Sequence, residues 1–117
     1  FRGENHCVFR VDDTEYPTPR HQLLTMGDLE FILKPVEPGQ KVLVHCHAGV
    51  SRSTAIGIML AKISGASNEA IRDGIVWIQA DPNLFILGWS ACFCGEDMVP
   101  LVREWVRALR YRSCDAV

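Results

Sequence analysis

At 117 residues, 48% of them hydrophobic and 22% charged, the chain has the size of one folded domain with a modest core and no room for a second. A net charge of −2 excludes a general nucleic-acid binder, which needs a broad basic face, so any anion must be recognised locally. The five cysteines, at 7, 46, 92, 94 and 114, are odd in number and form no Cys-x-x-Cys pair. Together with the absence of a signal-like stretch or of a run of ~18 apolar residues, they point to reduced thiols in the cytoplasm and to no membrane partner.

In chain order, Cys7-Val8-Phe9-Arg10-Val11 is short, β-branched and aromatic and runs into the polar Asp12-Asp13-Thr14-Glu15, the pattern of a buried strand followed by a loop. Thr18-Pro19 predicts a helix start, with Leu23, Leu24, Leu29, Ile32 and Leu33 as its apolar positions and Pro35 as its stop. After a turn at Pro38-Gly39, Lys41-Val42-Leu43-Val44-His45 predicts a second strand, its three consecutive apolar residues suiting a sheet covered on both faces. Ser53 to Ile63 is apolar on nearly every side and stops before Gly65, as a central buried helix would.

Downstream, Ser67 is a candidate cap for a helix whose Ile71, Gly74, Ile75 and Ile78 share one face. Asp81-Pro82 predicts the opening of another helix that runs to about Cys94 and closes at Gly95. The last helix begins near Glu96 and Asp97, holds Pro100 in its first turn, faces Leu101, Val102, Trp105 and Leu109 inward, and ends among Arg107, Arg110 and Arg112. Strand, helix, strand, loop and helices define an α/β expectation: one parallel β-sheet flanked by helices, with ligands bound beyond the C-terminal ends of strands, where Asp13 and Cys46 both fall.

The chemistry concentrates in His45-Cys46-His47-Ala48-Gly49-Val50-Ser51-Arg52-Ser53, which leads from the expected strand into the N-terminus of the expected buried helix. A phosphate there would meet inward-turned amides of residues 47–51, the positive end of the helix dipole and the forked guanidinium of Arg52. The same field lowers the Cys46 thiol below its ordinary pKa of ~8.5 and makes it a thiolate nucleophile without a dedicated base. Gly49 permits the tight curl, Ser53 can donate a hydrogen bond to the departing thiolate, and His45 can hold the loop through its backbone. The design calls for no metal and no cofactor.

With these residues in view, the chain resembles the protein tyrosine phosphatase superfamily, specifically its small dual-specificity-like members, whose signature is His-Cys-x5-Arg-Ser/Thr. Asp12-Asp13-Thr14-Glu15 stands where such enzymes keep their general-acid loop, and Pro82-Asn83-Leu84-Phe85 is similar to their Pro-Asn-x-x-Phe helix start, one residue shorter in spacing. The resemblance implies Cys46 as nucleophile, and Arg52 with His47, Ala48, Gly49, Val50 and Ser51 as phosphate binders. It implies Ser53 as leaving-group stabiliser and Asp13 as general acid and then base, with Asp12 as the alternative. The implied substrate is a phosphorylated protein carrying phosphotyrosine, with phosphoserine and phosphothreonine left open. Such domains usually carry a further N-terminal strand and helix before the acid loop, so the resemblance implies either further residues ahead of Phe1 or a reduced version of the sheet.

Other residues carry blander readings. His47 is either pocket lining or solvent-facing, and Asn83 reads as a helix-start residue before a substrate contact. Cys92 and Cys94, two apart on a helix, point to different faces and read as thiols rather than a disulfide. Cys114-Asp115-Ala116-Val117 has the length of a prenylation box, but Asp115 stands where an aliphatic residue belongs and valine is an unusual last residue. No lysine lies in the loop, which weighs against highly charged inositol phosphates. Two rivals share the pattern: a catalytically silent phosphate-binding module and a rhodanese-like sulfurtransferase.

Overall fold

The structure, a computed structural model, describes residues 25–33, 44 and 51–110. Six α-helices follow in order: α1 (Met26–Leu33), α2 (Arg52–Ile63), α3 (Asn68–Asp73), α4 (Leu84–Leu87), α5 (Ser90–Cys94) and α6 (Val99–Trp105), the last continuing as a π-helical segment, Val106–Arg110. Among the described residues 67% are helical and none is in a strand, which overturns the expected α/β architecture with its parallel, phosphatase-like β-sheet. The two segments expected as strands, 7–11 and 41–45, lie outside the described residues apart from Val44, which packs against the core without belonging to a strand. A run of apolar residues reports burial, and burial alone does not distinguish a sheet from other packing.

The organising element is α2. Ala55, Ile56, Ile58, Met59 and Leu60 are all buried, and α3, α4 and α5 pack against it. Its C-terminus closes as the sequence predicts. Gly65 takes φ +94°, its N–H donates to the Lys62 carbonyl (3.1 Å), and the Ala66 N–H donates to the Ala61 carbonyl (3.0 Å), so two orphan carbonyls are satisfied. The expected start at Thr18-Pro19 and stop at Pro35 lie outside the described residues; within them α1 begins at Met26, where Thr25 and Asp28 cap it reciprocally. The Thr25 N–H donates to Asp28 Oδ2 (3.0 Å), and the Asp28 N–H donates to Thr25 Oγ1 (3.2 Å). Leu29 and Leu33, one turn apart, carry its buried face.

Two expected helices are interrupted at glycine. Ser67 caps α3 by accepting the Ala70 N–H (3.1 Å), but the helix ends at Asp73 and Gly74 rather than running to Ile78, which is 51% exposed. Trp77 supplies the reason. Its ring N–H donates to the Arg72 carbonyl (2.7 Å), and its buried ring meets Trp105 edge to face at 5.7 Å, so leaving the helix brings the larger ring inward in place of Ile78. The helix expected from Asp81 to Cys94 divides at Gly88 and Trp89 into α4 and α5, with Asn83 rather than Asp81 capping the first. Gly95, at φ +76°, ends α5 as expected, and Pro100 falls in the first turn of α6. Val102 and Trp105 are buried, while Leu101 and Leu109 are partly buried against the core. Among the described residues no helix is long and apolar enough to cross a membrane.

Polar ties join these helices. Lys62 Nζ reaches Glu96 Oε1 (2.7 Å) and donates to Asn68 Oδ1 (2.7 Å), and Asn68 in turn donates to Glu96. The Lys62 ammonium first, and the Asn68 amide second, hold the Glu96 carboxyl below its usual range. A carboxyl lowered in the folded state stabilises above its unfolded pKa, and the contribution disappears as pH falls through the folded value. Glu96→Gln is therefore expected to flatten the acid limb of stability below pH ~4.3, read from urea midpoints against pH. An unchanged acid limb would count against the network.

The Ser90 hydroxyl, fully buried, accepts the Met98 N–H at 2.8 Å and fixes the turn between α5 and α6. Ser90→Ala leaves that amide buried without its acceptor and is expected to cost about 1–3 kcal/mol. Denaturant unfolding of the two proteins measures it, and equal midpoints would contradict the assignment.

Candidate functional site

Of the signature loop, the structure describes its exit. His45, Cys46, His47, Ala48, Gly49 and Val50, together with Asp12 and Asp13, lie outside the described residues; Ser51, Arg52 and Ser53 lie within them. Arg52 is the first residue of α2, where the sequence expects the phosphate clamp to meet the helix N-terminus. Its side chain is partly buried, with Nε beneath the surface, and both Arg52 and Ser53 are engaged in interactions with neighbours. The first turn of α2 contains no acidic residue, so nothing within that turn offsets the positive end of the helix dipole.

Ser51 occupies the cap position of α2 without a side-chain capping bond, and its carbonyl does the structural work instead. That carbonyl accepts the Ala55 N–H (3.1 Å), the first bond of the helix, and also the Asn83 N–H (3.1 Å) from the segment before α4. Asn83 is 2% exposed and caps α4 by accepting the Ile86 N–H on Oδ1 (3.0 Å). The structure thus brings Ser51 and Arg52 together with Pro82 and Asn83. Asn83 thus starts α4, and its backbone N–H makes a second contact, to Ser51. The one trace in the sequence is Pro82, a residue that rigidifies the chain just before the donor amide.

Ser53 and Thr54 also border a cavity of about 610 Å³ that runs along α2 and α3 past Gly57, Ile58, Ala61 and Ile71. None of its described lining residues is charged, so those residues offer a phosphate no counter-charge. An anion bound at the α2 N-terminus would sit at the helix end rather than in this groove along its side.

The two described cysteines are thiols, as expected. Cys92 is exposed, whereas Cys94 is partly buried and its Sγ lies 3.6 Å from the Met59 carbonyl. Burial pushes the Cys94 thiol pKa up, against a smaller opposing effect of Lys62, and so disfavours its thiolate. No family model, curated protein or solved structure matches the chain.

Timed alkylation with iodoacetamide, followed by peptide mass mapping, is expected to label Cys92 well before Cys94. Equal rates, or Cys94 first, would show that Cys94 is not shielded as described.

Proposed function

We propose that this protein is a metal-independent, cysteine-dependent phosphatase acting on phosphorylated protein, phosphotyrosine first, with phosphoserine and phosphothreonine as further candidates. The observation that supports the reading is the coincidence of the Cys46-x5-Arg52-Ser53 signature with the N-terminus of α2, whose first residue is Arg52. The reading rests on the motif and that junction and draws nothing from a phosphatase-like sheet.

In the proposed reaction the Cys46 thiolate attacks phosphorus, the ester P–O bond breaks, and Asp13 gives its proton to the leaving oxygen. Arg52 and the amides of residues 47–51 follow the equatorial oxygens from ground state to transition state. Asp13, now a carboxylate, takes a proton from water as that water attacks the phosphocysteine. The S–P bond breaks, phosphate leaves, and the Ser53 hydroxyl stabilises the returning thiolate. We place the protein in the cytoplasm, where the thiols of Cys92 and Cys94 would stay reduced.

Cys46→Ser is expected to abolish turnover while leaving phosphopeptide binding, and Arg52→Lys to lower kcat/KM by ~10² or more, because an ammonium cannot form the bidentate fork. Hydrolysis of para-nitrophenyl phosphate, run beside thiosulfate-to-cyanide transfer, checks both and separates the rivals. Sulfur transfer without hydrolysis would assign the rhodanese-like chemistry, and binding without either would assign a silent module.

The acid has its own signature. Asp13→Ala is expected to slow phosphotyrosine hydrolysis by ~10²–10⁴ and an ester of a very acidic phenol far less, with Asp12→Ala nearly neutral on both. The reverse pattern moves the role to Asp12.

A further inference from the structure

We propose that Asn83 is a positioning residue for the phosphate loop: by capping α4 it fixes the amide that holds the Ser51 carbonyl, and through that carbonyl it sets the direction in which Arg52 leaves the loop. The inference rests on the phosphatase reading for its consequence in catalysis and on the hydrogen-bond geometry for its existence.

The Ser51 carbonyl and the Arg52 N–H belong to one planar peptide unit, so a donor that pins the carbonyl pins the start of Arg52 as well. Two donors do so. The Ala55 N–H belongs to α2 and turns with it, whereas the Asn83 N–H (3.1 Å) approaches from a separate element and gives the peptide plane an external reference. That reference is itself held on several sides. Asn83 has an extended backbone (φ −64°, ψ 114°), its Oδ1 accepts the Ile86 N–H (3.0 Å), and its carbonyl accepts the Leu87 N–H (3.1 Å). Pro82 is buried before it, and Ile86 and Leu87 seat α4 in the core. Removing the side-chain cap loosens the backbone that carries the donor amide, although that amide itself remains. A guanidinium whose base shifts by a fraction of an ångström loses the two-pronged alignment on phosphoryl oxygens on which its effect depends.

The test compares cap losses that differ only in their reach. Asn83→Ala removes the α4 cap, Asn83→Ser keeps an oxygen in the capping position, and Ser67→Ala removes an equivalent cap from α3, where no bond to Ser51 exists. With all variants shown to be folded by circular dichroism, Asn83→Ala is expected to weaken inhibition by orthovanadate and lower kcat/KM by about tenfold or more. Asn83→Ser should recover most of both, and Ser67→Ala should leave both near wild type. Equal losses in Asn83→Ala and Ser67→Ala, or wild-type inhibition in Asn83→Ala, would overturn the proposal. If Asn83→Ala fails to fold, Asn83→Gly, better tolerated at a cap position, takes its place.

Hydrogen exchange of the Asn83 amide, the donor of the tie, corrected for the intrinsic rate of each variant, reads the same tie without catalysis. Faster exchange in Asn83→Ala and not in Ser67→Ala upholds the clasp even if the wild-type protein hydrolyses nothing, in which case the phosphatase reading alone falls. Unchanged exchange in both removes the clasp whatever the activity.

Discussion

The carbonyl of Ser51 is the point on which the described structure turns. It starts α2 by accepting the Ala55 N–H, and it ties that start to the distant segment before α4 by accepting the Asn83 N–H. A helix N-terminus leaves amides and a positive dipole end to be satisfied, and such an end is useful to an anion only if it is held still. Here it is held from within by a helix buried through Ala55, Ile58 and Met59, and from outside by a buried asparagine that itself caps α4.

The rest of the fold keeps α2 in place. At its far end, the Schellman closure at Gly65 and the Lys62–Asn68–Glu96 network fasten it to α3 and to the turn after α5. On its flank, α4 and α5 supply the apolar cover, and the Ser90–Met98 bond carries the chain from α5 into α6. Trp77 and Trp105 then pack the loop after α3 against α6. Together these ties anchor both ends and one flank of α2, so the helix that bears Arg52 has few ways to move as a unit.

What could be read from the sequence follows from how locally each feature is encoded. The apolar surround of Ile56, Ile58 and Leu60 signals a buried helix, Gly65 its end, Gly95 the end of α5 and Ser67 the cap of α3, because each signal lies within one turn of its effect. The breaks at Gly74 and Gly88 were hidden, since Ile71, Ile75 and Ile78 keep helical spacing across the first of them and only the burial of Trp77 decides against continuing. The expectation of a sheet rests on the apolar runs at 7–11 and 41–45, and an apolar run by itself does not separate a strand from other buried structure. The Asn83–Ser51 bond joins two main-chain groups far apart in sequence, and beyond the rigid Pro82 before its donor no residue identity marks it. For the candidate site, Arg52 and Ser53 stand at the start of α2, whereas Cys46 and Asp13, the proposed nucleophile and acid, lie outside the described residues.

The central claim is that the loop ending at Arg52 holds a phosphoryl group on sulfur. Rapid acid quenching during turnover of an aryl phosphate, with mapping of the phosphorylated peptide, tests it most directly. A phosphate adduct on the peptide containing Cys46, formed in step with a burst of phenol and absent in Cys46→Ser, is the predicted result. Steady release of phenol and phosphate with no adduct at Cys46, and undiminished activity in Cys46→Ser, would contradict it.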